Sequence, residues 1–328
     1  MSRPTLSLVL PIYNEEAVIP ELDRRLREFL STLEVTWEVV FVNDGSKDRS
    51  RELLKTMVES EPRYRLFSFS RNFGHQAAIT AGVDYARGEA VVVMDADLQD
   101  PPEVVSQMLR LWQEGFDVVY GVRRARHREG LFKRMTAAIF YRLLRTIVGV
   151  AIPVDAGDFR LMSRRVVLTL RSLREASRFV RGMVAWVGFK QTAVHYERQG
   201  RFAGKTHYPM RKMIGFALDG IASFSSVPLR IATVLGVLAG GTGLIVAGWA
   251  VYVRLFTSTA VPGWATIMIA VSLAGSVQLL IMGILGEYIS RIYEEVKRRP
   301  LYVLEERNDA FATDDRDSEP DITRDERR

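Results

Sequence analysis

Two long stretches without a charged residue constrain the fold of this chain more than any other feature of its sequence. The first is the 23-residue run 231–253, IATVLGVLAGGTGLIVAGWAVYV, and the second covers 255–286, with Arg254 between them. Each is longer than the roughly 20 apolar residues that a helix needs to cross a bilayer. Because two such runs in succession are rare in soluble domains, we expect a hairpin of transmembrane helices at 229–254 and 264–286.

Basic residues flank this pair of runs on its outer sides. Arg211, Lys212 and Arg230 precede the pair, and Arg291 and residues 297–299 follow it. Cytoplasmic flanks of membrane helices carry an excess of Lys and Arg. The sequence therefore predicts a multi-pass protein of the cell (inner) membrane, with the large N-terminal domain and both termini in the cytoplasm.

Three further segments surround the predicted hairpin. Residues 207–228 are predicted to form an interfacial helix whose basic residues meet anionic membrane lipid. Residues 287–304 are expected to form a basic cytoplasmic helix. The tail 305–328 has ten acidic and five basic residues among 24 and few apolar ones, which predicts disorder.

The residues before the hairpin alternate between short apolar runs and helical patterns. Strands are predicted at LSLVLPIY, WEVVFVND, YRLFSFS, EAVVVMD and FDVVYG, with helices at about 16–33, 48–60, 75–86 and 101–114. This alternation is typical of βαβ units around a mostly parallel sheet with flanking helices. We therefore predict an α/β domain over 1–206, whose ligands bind beyond the carboxyl ends of the strands.

The motif DADLQD follows the fourth predicted strand. Asp95 and Asp97 are two positions apart, so in extended geometry their carboxylates point the same way. Two such carboxylates need a cation, and hard oxygen ligands favour Mg²⁺ or Mn²⁺, with Gln99 as a possible third ligand. The alternative is a solvated acidic turn before the next helix. Asp100, which precedes two prolines, is assigned the structural role of N-cap.

Polar residues also follow the first two strands. In PIYNE, Tyr13, Asn14 and Glu15 are placed to meet a nucleoside base, although Asn14 and Glu15 would equally suit an ordinary helix start. In VNDGS, Asp44 is placed to bond a ribose or base, with a simple turn as the alternative. No G-x-G-x-x-G follows the first strand and no P-loop motif occurs.

Basic residues form a second group of candidates. The formal charge of +6 indicates an acidic partner. Arg198, Arg201 and Lys205 lie in a glycine-containing loop ahead of the predicted interfacial helix, where a lipid phosphate would emerge. Arg123 and Arg134 would suit either phosphate binding or a solvated basic surface. A membrane-tethered domain with an acidic metal loop argues against nucleic acid as the partner.

A second acidic pair lies in the motif DAGDF. Asp155 or Asp158 could position an acceptor or take a proton from it, and we expect the pair to lie outside the sheet core. His75 and His195 are isolated in the sequence and are not expected to be ligands. The chain has no cysteine, which excludes disulfides and thiolate metal sites.

These motifs together resemble glycosyltransferase family 2. PIYNE, VNDGS, RNFGHQAAITAG, DADLQDPPE, DAGDFRLM and RFAGKTHY occur in the order and approximate spacing of its polyprenyl-phosphate branch, over about residues 1–300. The resemblance implies a GT-A fold and, as for bactoprenol glucosyltransferases and dolichol-phosphate mannose synthases, transfer from a nucleotide sugar to polyprenyl phosphate. It also implies a tendency to form homotetramers.

The resemblance further implies a role for each matching residue. Asp95, Asp97 and Gln99 approach the metal and the nucleotide diphosphate, and Asp158 lies near the sugar and the acceptor. The residues that line the nucleoside pocket are Pro11, Tyr13, Asn14, Glu15 and Asp44. The residues that contact phosphates are Arg123, Arg134, Arg198, Arg201 and Lys205. Two departures are Asn43, where many members have aspartate, and Thr206-His207, where serine-lysine is common.

The expected reaction is an inverting transfer of a hexose to undecaprenyl phosphate at the cytoplasmic face. UDP-glucose is the preferred donor, and GDP-mannose, UDP-N-acetylglucosamine and UDP-aminoarabinose are the alternatives. A processive polysaccharide synthase is disfavoured because its Q-x-x-R-W signature is absent. The alternative from another class is an inactive membrane scaffold on the same fold, against which the intact DADLQD motif argues.

Overall fold

The computed structural model describes residues 3–123, 156–197, 227–256 and 263–308. These residues divide into two compact units. The second unit takes its described residues from Pro209–Arg298, and the first takes the described residues before and after that range. Residues 299–308 therefore belong to the same unit as residues 3–123.

The first unit is built on one sheet of eight described strands. These are β1 Leu6–Ile12, β2 Trp37–Asn43, β3 Tyr64–Phe69, β4 Ala90–Val93, β5 Val118–Arg123, β6 Ala156–Ser163, β7 Gln191–Tyr196 and β8 Leu304–Asn308. Their order in the sheet is β7-β5-β6-β4-β1-β2-β3-β8. Only β6 and β8 run antiparallel to their neighbours.

Six described helices belong to the same unit. They are α1 Ile19–Ser31, α2 Ser50–Ser60, α3 His75–Tyr85, α4 Val104–Gln113, α5 Arg164–Ser172 and α6 Val180–Trp186. In α1, Leu22, Leu26 and Phe29 recur at helical spacing and are all buried. Strands β1 to β4 are buried along their whole length, as in sheets covered on both faces. The predicted α/β class with a mostly parallel sheet and flanking helices is confirmed.

Strand β6 corrects one expectation. Asp158 was expected outside the sheet core, but β6 lies between β4 and β5 and carries Asp158 with only 5% of its surface exposed. The strand was missed because its polar residues resemble a loop. Both Asp158 and Arg160 are buried and hydrogen-bonded inside the unit.

Strand β8 corrects the predicted start of the disordered tail. Residues 304–308 pair antiparallel with β3, and Arg51 and Lys55 on α2 form ion pairs with Glu305 and Glu306. Just before the strand, the buried Tyr302 donates a hydrogen bond from its hydroxyl to Oδ2 of Asp84, at 2.9 Å. The chain after the apolar helices is therefore anchored on the first unit; residues 309–328 lie outside the described residues.

The second unit contains two long helices, α7 Val227–Phe256 and α8 Trp264–Val296. Within them, Leu229–Val253 and Ile269–Val296 are long and apolar enough to cross a membrane, and most of their described side chains are exposed. The predicted basic helix 287–304 is too long, because helix α8 ends at Val296. Of the predicted interfacial helix 207–228, only residues 227 and 228 are described, and they begin α7.

Candidate active site

Three strands bring candidate residues to one edge of the sheet. Asp95 follows the carboxyl end of β4, Arg123 ends β5, and Asp158 lies near the start of the antiparallel β6. The register pairs Val93 with Arg160, so Asp95 and Asp158 come opposite each other two residues further along. The antiparallel direction of β6 thus brings the second acidic motif to the first.

The loop after β4 presents its two aspartates on one side. Asp95 and Asp97 are half-buried, whereas the alternate residues Ala96 and Leu98 are buried at 4% and 1% exposure. The backbone N–H of Gln99 donates to Oδ1 of Asp97 at 3.1 Å, which holds the turn. The loop here is a turn, with Leu98 at φ +60, rather than the extended backbone that the spacing argument assumed.

The carboxylate of Asp95 is partly buried and lies near several other carboxylates. Burial raises its pKa to about 6; nearby His75 opposes the shift, and the neighbouring carboxylates of Asp158, Asp100 and Asp97 add to it. Such a group of carboxylates is costly to ionise together. A bound cation would remove that cost.

Asp158 is held by two cationic or potentially cationic side chains. Arg181 on α6 donates from Nε to Oδ1 at 2.7 Å and from its guanidinium to Oδ2 at 2.9 Å. His75 Nε2 lies 3.2 Å from Oδ2 of Asp158 and 3.6 Å from Oδ1 of Asp95. Burial opposes ionisation of Asp158, but the hydrogen bonds from Arg181 and His75 outweigh it and hold its pKa well below the usual range.

His75 is a further member of this acidic site. It is isolated in the sequence, but in the fold it stands between the two acidic motifs at the start of α3. Burial lowers the pKa of His75, whereas the hydrogen bond to Asp158 and the charge of Asp95 raise it, and the net shift is upward. The signal in the sequence was its position in RNFGHQ, directly after the third strand.

The N-cap role assigned to Asp100 is wrong. Helix α4 begins at Val104, its N-cap is Glu103, and no side chain caps it. Asp100 is instead fully buried, accepts a hydrogen bond from the hydroxyl of Tyr196, and lies 3.7 Å from the guanidinium of Arg123. Asp100 thus belongs to the same polar cluster as Asp95.

The loops after β1 and β2 are tied to each other. The N–H of Asn14 donates to Ser46 Oγ at 3.0 Å, the N–H of Lys47 donates to Asn14 Oδ1 at 2.8 Å, and the N–H of Glu15 donates to Ser50 Oγ at 2.9 Å. Helix α1 begins only at residue 19, so the alternative of Asn14 as its cap does not hold. The two loops form one supported rim.

Along this rim the predicted nucleoside residues differ in accessibility. Pro11 is buried within β1, while Tyr13 exposes 42% of its surface. An exposed aromatic ring beside an ordered loop is suited to stacking on a base. Of the two, Tyr13 is therefore the better candidate for direct contact.

Asp44 organises the loop between β3 and α3. Its carboxylate accepts hydrogen bonds from Nδ2 of Asn72 and from the backbone N–H groups of Phe73 and Gly74, at 2.7 to 3.2 Å. The next residue, Gly45, has φ +63, and a Cβ there would lie 2.4 Å from the carbonyl carbon of Arg71. Asp44 thus positions the segment that carries His75; its contact with a nucleoside stays a prediction.

Five predicted residues lie outside the described residues. They are Asp155, Arg134, Arg198, Arg201 and Lys205. Sequence reasoning in turn missed Arg181 and Tyr196, which contact Asp158 and Asp100. Neither belongs to a motif that points to chemistry, and only the folded sheet brings them to the site.

The donors around the acidic loop fit a divalent cation. Among the described residues, no group of three or more His, Cys, Asp or Glu side chains is arranged to hold a metal. Gln99, however, is 8% exposed, and its buried Oε1 has no hydrogen-bond partner among these residues. Two carboxylates and one amide oxygen form a hard donor set of the kind that Mg²⁺ and Mn²⁺ prefer.

Comparison with known proteins assigns the family. The sequence model described as "Glycosyl transferase family 2" matches residues 7–171, which include every strand that supplies the acidic cluster. The chain belongs to this family. It is therefore a glycosyltransferase by descent, as the motif order indicated.

Relatives of this family-2 chain cover nearly its whole length. It is 51% identical over 299 residues to the glycosyltransferase YkcC of Bacillus subtilis, and the match covers 91% of this chain and 93% of YkcC. It is 40% identical to a prophage bactoprenol glucosyl transferase homolog of Escherichia coli, with 91% and 98% covered. Among solved structures, glucosyl-3-phosphoglycerate synthase from Mycobacterium tuberculosis in complex with UDP matches with a TM-score of 0.48 at 20% identity, covering 67% and 79%.

Proposed function

We propose that this glycosyltransferase moves a hexose, with glucose preferred, from a nucleotide sugar to undecaprenyl phosphate. A phosphate oxygen of the lipid attacks the anomeric carbon and forms the new C–O bond. The bond from that carbon to the nucleoside diphosphate breaks, and the configuration inverts. The products are polyprenyl-phosphate-sugar and a free nucleoside diphosphate.

The observation that carries the proposal is the meeting of two acidic motifs at the carboxyl edge of the sheet. Asp95 after β4 stands beside Asp158 on β6, with His75 and Arg123 in the same cluster. Relatives named bactoprenol glucosyl transferase at 40% identity support lipid phosphate as the acceptor. The two apolar helices support a site near a membrane.

Asp158 would position the reacting groups rather than accept a proton. Both of its oxygens accept hydrogen bonds from Arg181 or His75, and its pKa lies well below the usual range. A phosphate acceptor is already ionised near neutral pH and needs no strong base. The fixed negative charge of Asp158 would stabilise positive charge that develops at the sugar.

Asp95, Asp97 and Gln99 would hold Mg²⁺ or Mn²⁺ in this proposal. When bound, the ion would neutralise the negative charge of the departing diphosphate. Arg123 would bind the same diphosphate from the side of β5, while Pro11, Tyr13, Asn14, Glu15 and Asp44 would surround the nucleoside. Arg134, Arg198, Arg201 and Lys205 would bind the acceptor phosphate.

Helices α7 and α8 would span the cell membrane, with the first unit and both termini in the cytoplasm. This division extends the predicted domain 1–206 by the anchored residues 302–308. Because the chain has no cysteine, single cysteines report topology without interference. Ser258→Cys between the helices should react with an impermeant maleimide in intact cells, and Ser318→Cys only after permeabilisation; the reverse pattern would overturn the orientation.

The reaction is tested by offering labelled nucleotide sugars to purified protein with undecaprenyl phosphate and Mn²⁺. UDP-glucose should give a lipid-soluble label, and GDP-mannose, UDP-N-acetylglucosamine and UDP-aminoarabinose serve as rival donors. Undecaprenol without phosphate should accept nothing. A scaffold without activity would transfer no label from any donor and would bind no nucleotide. Light scattering of the same sample tests the homotetramer that the family resemblance implies.

A further inference from the structure

Tyr196, Asp100 and Arg123 form a polar cluster whose members come from three separate elements. Arg123 at the end of β5 is paired in register with Tyr196 at the end of the parallel β7. Arg123 Nε donates to the Tyr196 hydroxyl at 3.3 Å, and that hydroxyl donates to Oδ1 of Asp100. The guanidinium also lies 3.7 Å from the same carboxylate oxygen.

Two glycines make the space that this cluster needs. A Cβ on Gly157 would lie 3.0 Å from a terminal nitrogen of Arg123, and one on Gly121 would lie 2.8 Å from Cε1 of Tyr196. The Tyr196 ring also packs edge-on against Phe159, with centroids 5.5 Å apart. The ring and the guanidinium are therefore confined by packing as well as by hydrogen bonds.

The burial of the cluster is graded. Asp100 is fully buried and Tyr196 is 5% exposed, whereas the Arg123 side chain is 29% exposed. A buried carboxylate is retained only where charged and hydrogen-bonded partners compensate it. Here Asp100 and Tyr196 contact one side of the Arg123 side chain. The charge of Arg123 also acts on Asp95 of the acidic loop. An arginine fixed from its buried side can present its remaining donors to an anion without losing rotamer freedom on binding.

We infer that Tyr196 and Asp100 are positioning residues that fix Arg123 as an anchor for the diphosphate of the sugar nucleotide. The inference rests on the proposed function, because it takes a nucleoside diphosphate as the anion. It adds two residues that hold the arginine without themselves touching the substrate. Loss of the tyrosine hydroxyl should therefore weaken diphosphate binding while leaving nucleoside binding intact.

The test compares Tyr196→Phe with Tyr64→Phe in the full-length protein, in detergent with Mn²⁺. Both changes remove a buried hydroxyl, but Tyr64 lies on β3, which five strands separate from β7, and its hydroxyl has no hydrogen-bond partner among the described residues. Calorimetric titration with UDP, and displacement titration with uridine, give the two dissociation constants. GDP and guanosine are used in the same way if UDP does not bind.

Tyr196→Phe should raise the dissociation constant of UDP about tenfold, the size expected for one hydrogen bond to a charged group. The dissociation constant of uridine should stay the same, and Tyr64→Phe should change neither. In an Arg123→Ala background the tyrosine change should add nothing, because its effect acts through the arginine. Asp100→Asn should reproduce the loss for UDP if Tyr196→Phe does not fold.

Two outcomes would overturn the inference. Equal losses for UDP and uridine would show a general structural role, and an undiminished effect of Tyr196→Phe in the Arg123→Ala background would show that the tyrosine acts independently. Failure of the wild-type protein to bind either UDP or GDP would instead refute the proposed function.

Discussion

Replacing Arg181 by glutamine should destabilise the first unit and reduce sugar transfer, because it removes the main cationic partner of the buried Asp158. Breaking a buried ion pair from one side costs about 3–5 kcal/mol. Arg181 is 33% exposed, and His75 remains 3.2 Å from the carboxylate, so the lower end, about 3 kcal/mol, applies. In a domain of this size that corresponds to a fall of roughly 6–12 °C in the unfolding midpoint.

The pH dependence of this loss has a definite sign. In the wild type the pKa of Asp158 is lowered on folding, so its stabilising contribution is present above the unfolded pKa and is lost only as the pH falls toward the folded value. Without Arg181, only His75 and Arg160 oppose the effect of burial, and we expect the folded pKa of Asp158 to rise above its ordinary value. Its contribution is then favourable in acid and is lost as the pH rises. The stability gap between variant and wild type should therefore shrink as the pH falls from about 8 toward 4.

The assay is thermal unfolding of purified protein, followed by tryptophan fluorescence across this pH range, together with lipid-linked sugar transfer. Arg165→Gln is the matched control, because Arg165 also donates two hydrogen bonds to an aspartate, Asp117, but is 63% exposed and lies outside the site. That control should lose no more than about 1 kcal/mol and keep its activity. The reasoning fails if both variants lose the same stability, or if the gap for Arg181→Gln widens in acid.

Three further changes test other parts of the chain. Asp97→Asn should abolish transfer and leave the unfolding midpoint within about 1 °C, as measured on the same samples; near-normal turnover would remove Asp97 from the metal site. Arg201→Ala should raise the KM for undecaprenyl phosphate more than that for the nucleotide sugar, and the opposite kinetic result would move this arginine to the donor side. Gly45→Ala should cost at least about 2 kcal/mol, because its Cβ would overlap the backbone of residues 71–72 at φ +63. Gly74→Ala should lose less stability, because open space surrounds its Cβ position, although its φ is +99. Equal unfolding midpoints for the two glycine variants would contradict the overlap predicted at Gly45.

Periodicity was sufficient to predict the regular half of the fold. Strands β1 to β5 and helices α1 to α4 follow the alternation of buried apolar runs with amphipathic patterns, and each lies close to its predicted place. In these elements the apolar residues are buried on the face that the sequence pattern indicates, so the pattern alone locates them.

Two of the strands that sequence reasoning missed, β6 and β8, contain polar residues whose partners are distant in the sequence. In β8, LEERN has a composition typical of a disordered tail, yet its glutamates pair with Arg51 and Lys55, about 250 residues earlier in the chain. In β6, Asp158 interrupts the apolar pattern, and its partners Arg181 and His75 lie on α6 and α3. Local composition cannot reveal such partners, because they become neighbours only after the sheet has formed.

The same physical reason explains which part of the site was predictable. Asp95 and Asp97 were identified from their spacing after a buried strand, which is a local property. Arg181 and Tyr196 carry no local signal, and His75 has only its position after the third strand. Their roles come from contacts across α3, α6 and β7. The misassigned Asp100 illustrates the limit: its position before two prolines suits an N-cap, but the fold turns it inward to Tyr196.

The charge state of the site bears on the class of acceptor. A hydroxyl acceptor would need a general base with a pKa near the working pH, within reach of its proton. Asp158 does not meet this requirement, because its pKa is far too low and both of its oxygens already accept hydrogen bonds. Asp95 has a pKa of about 6, but it belongs to the pair proposed to hold the cation. An acceptor that arrives as an anion, such as a phosphate monoester, needs no base, whereas a lipid alcohol would have to use His75, whose Nε2 already lies 3.2 Å from Oδ2 of Asp158. This difference is the physical argument for a lipid phosphate rather than a lipid alcohol.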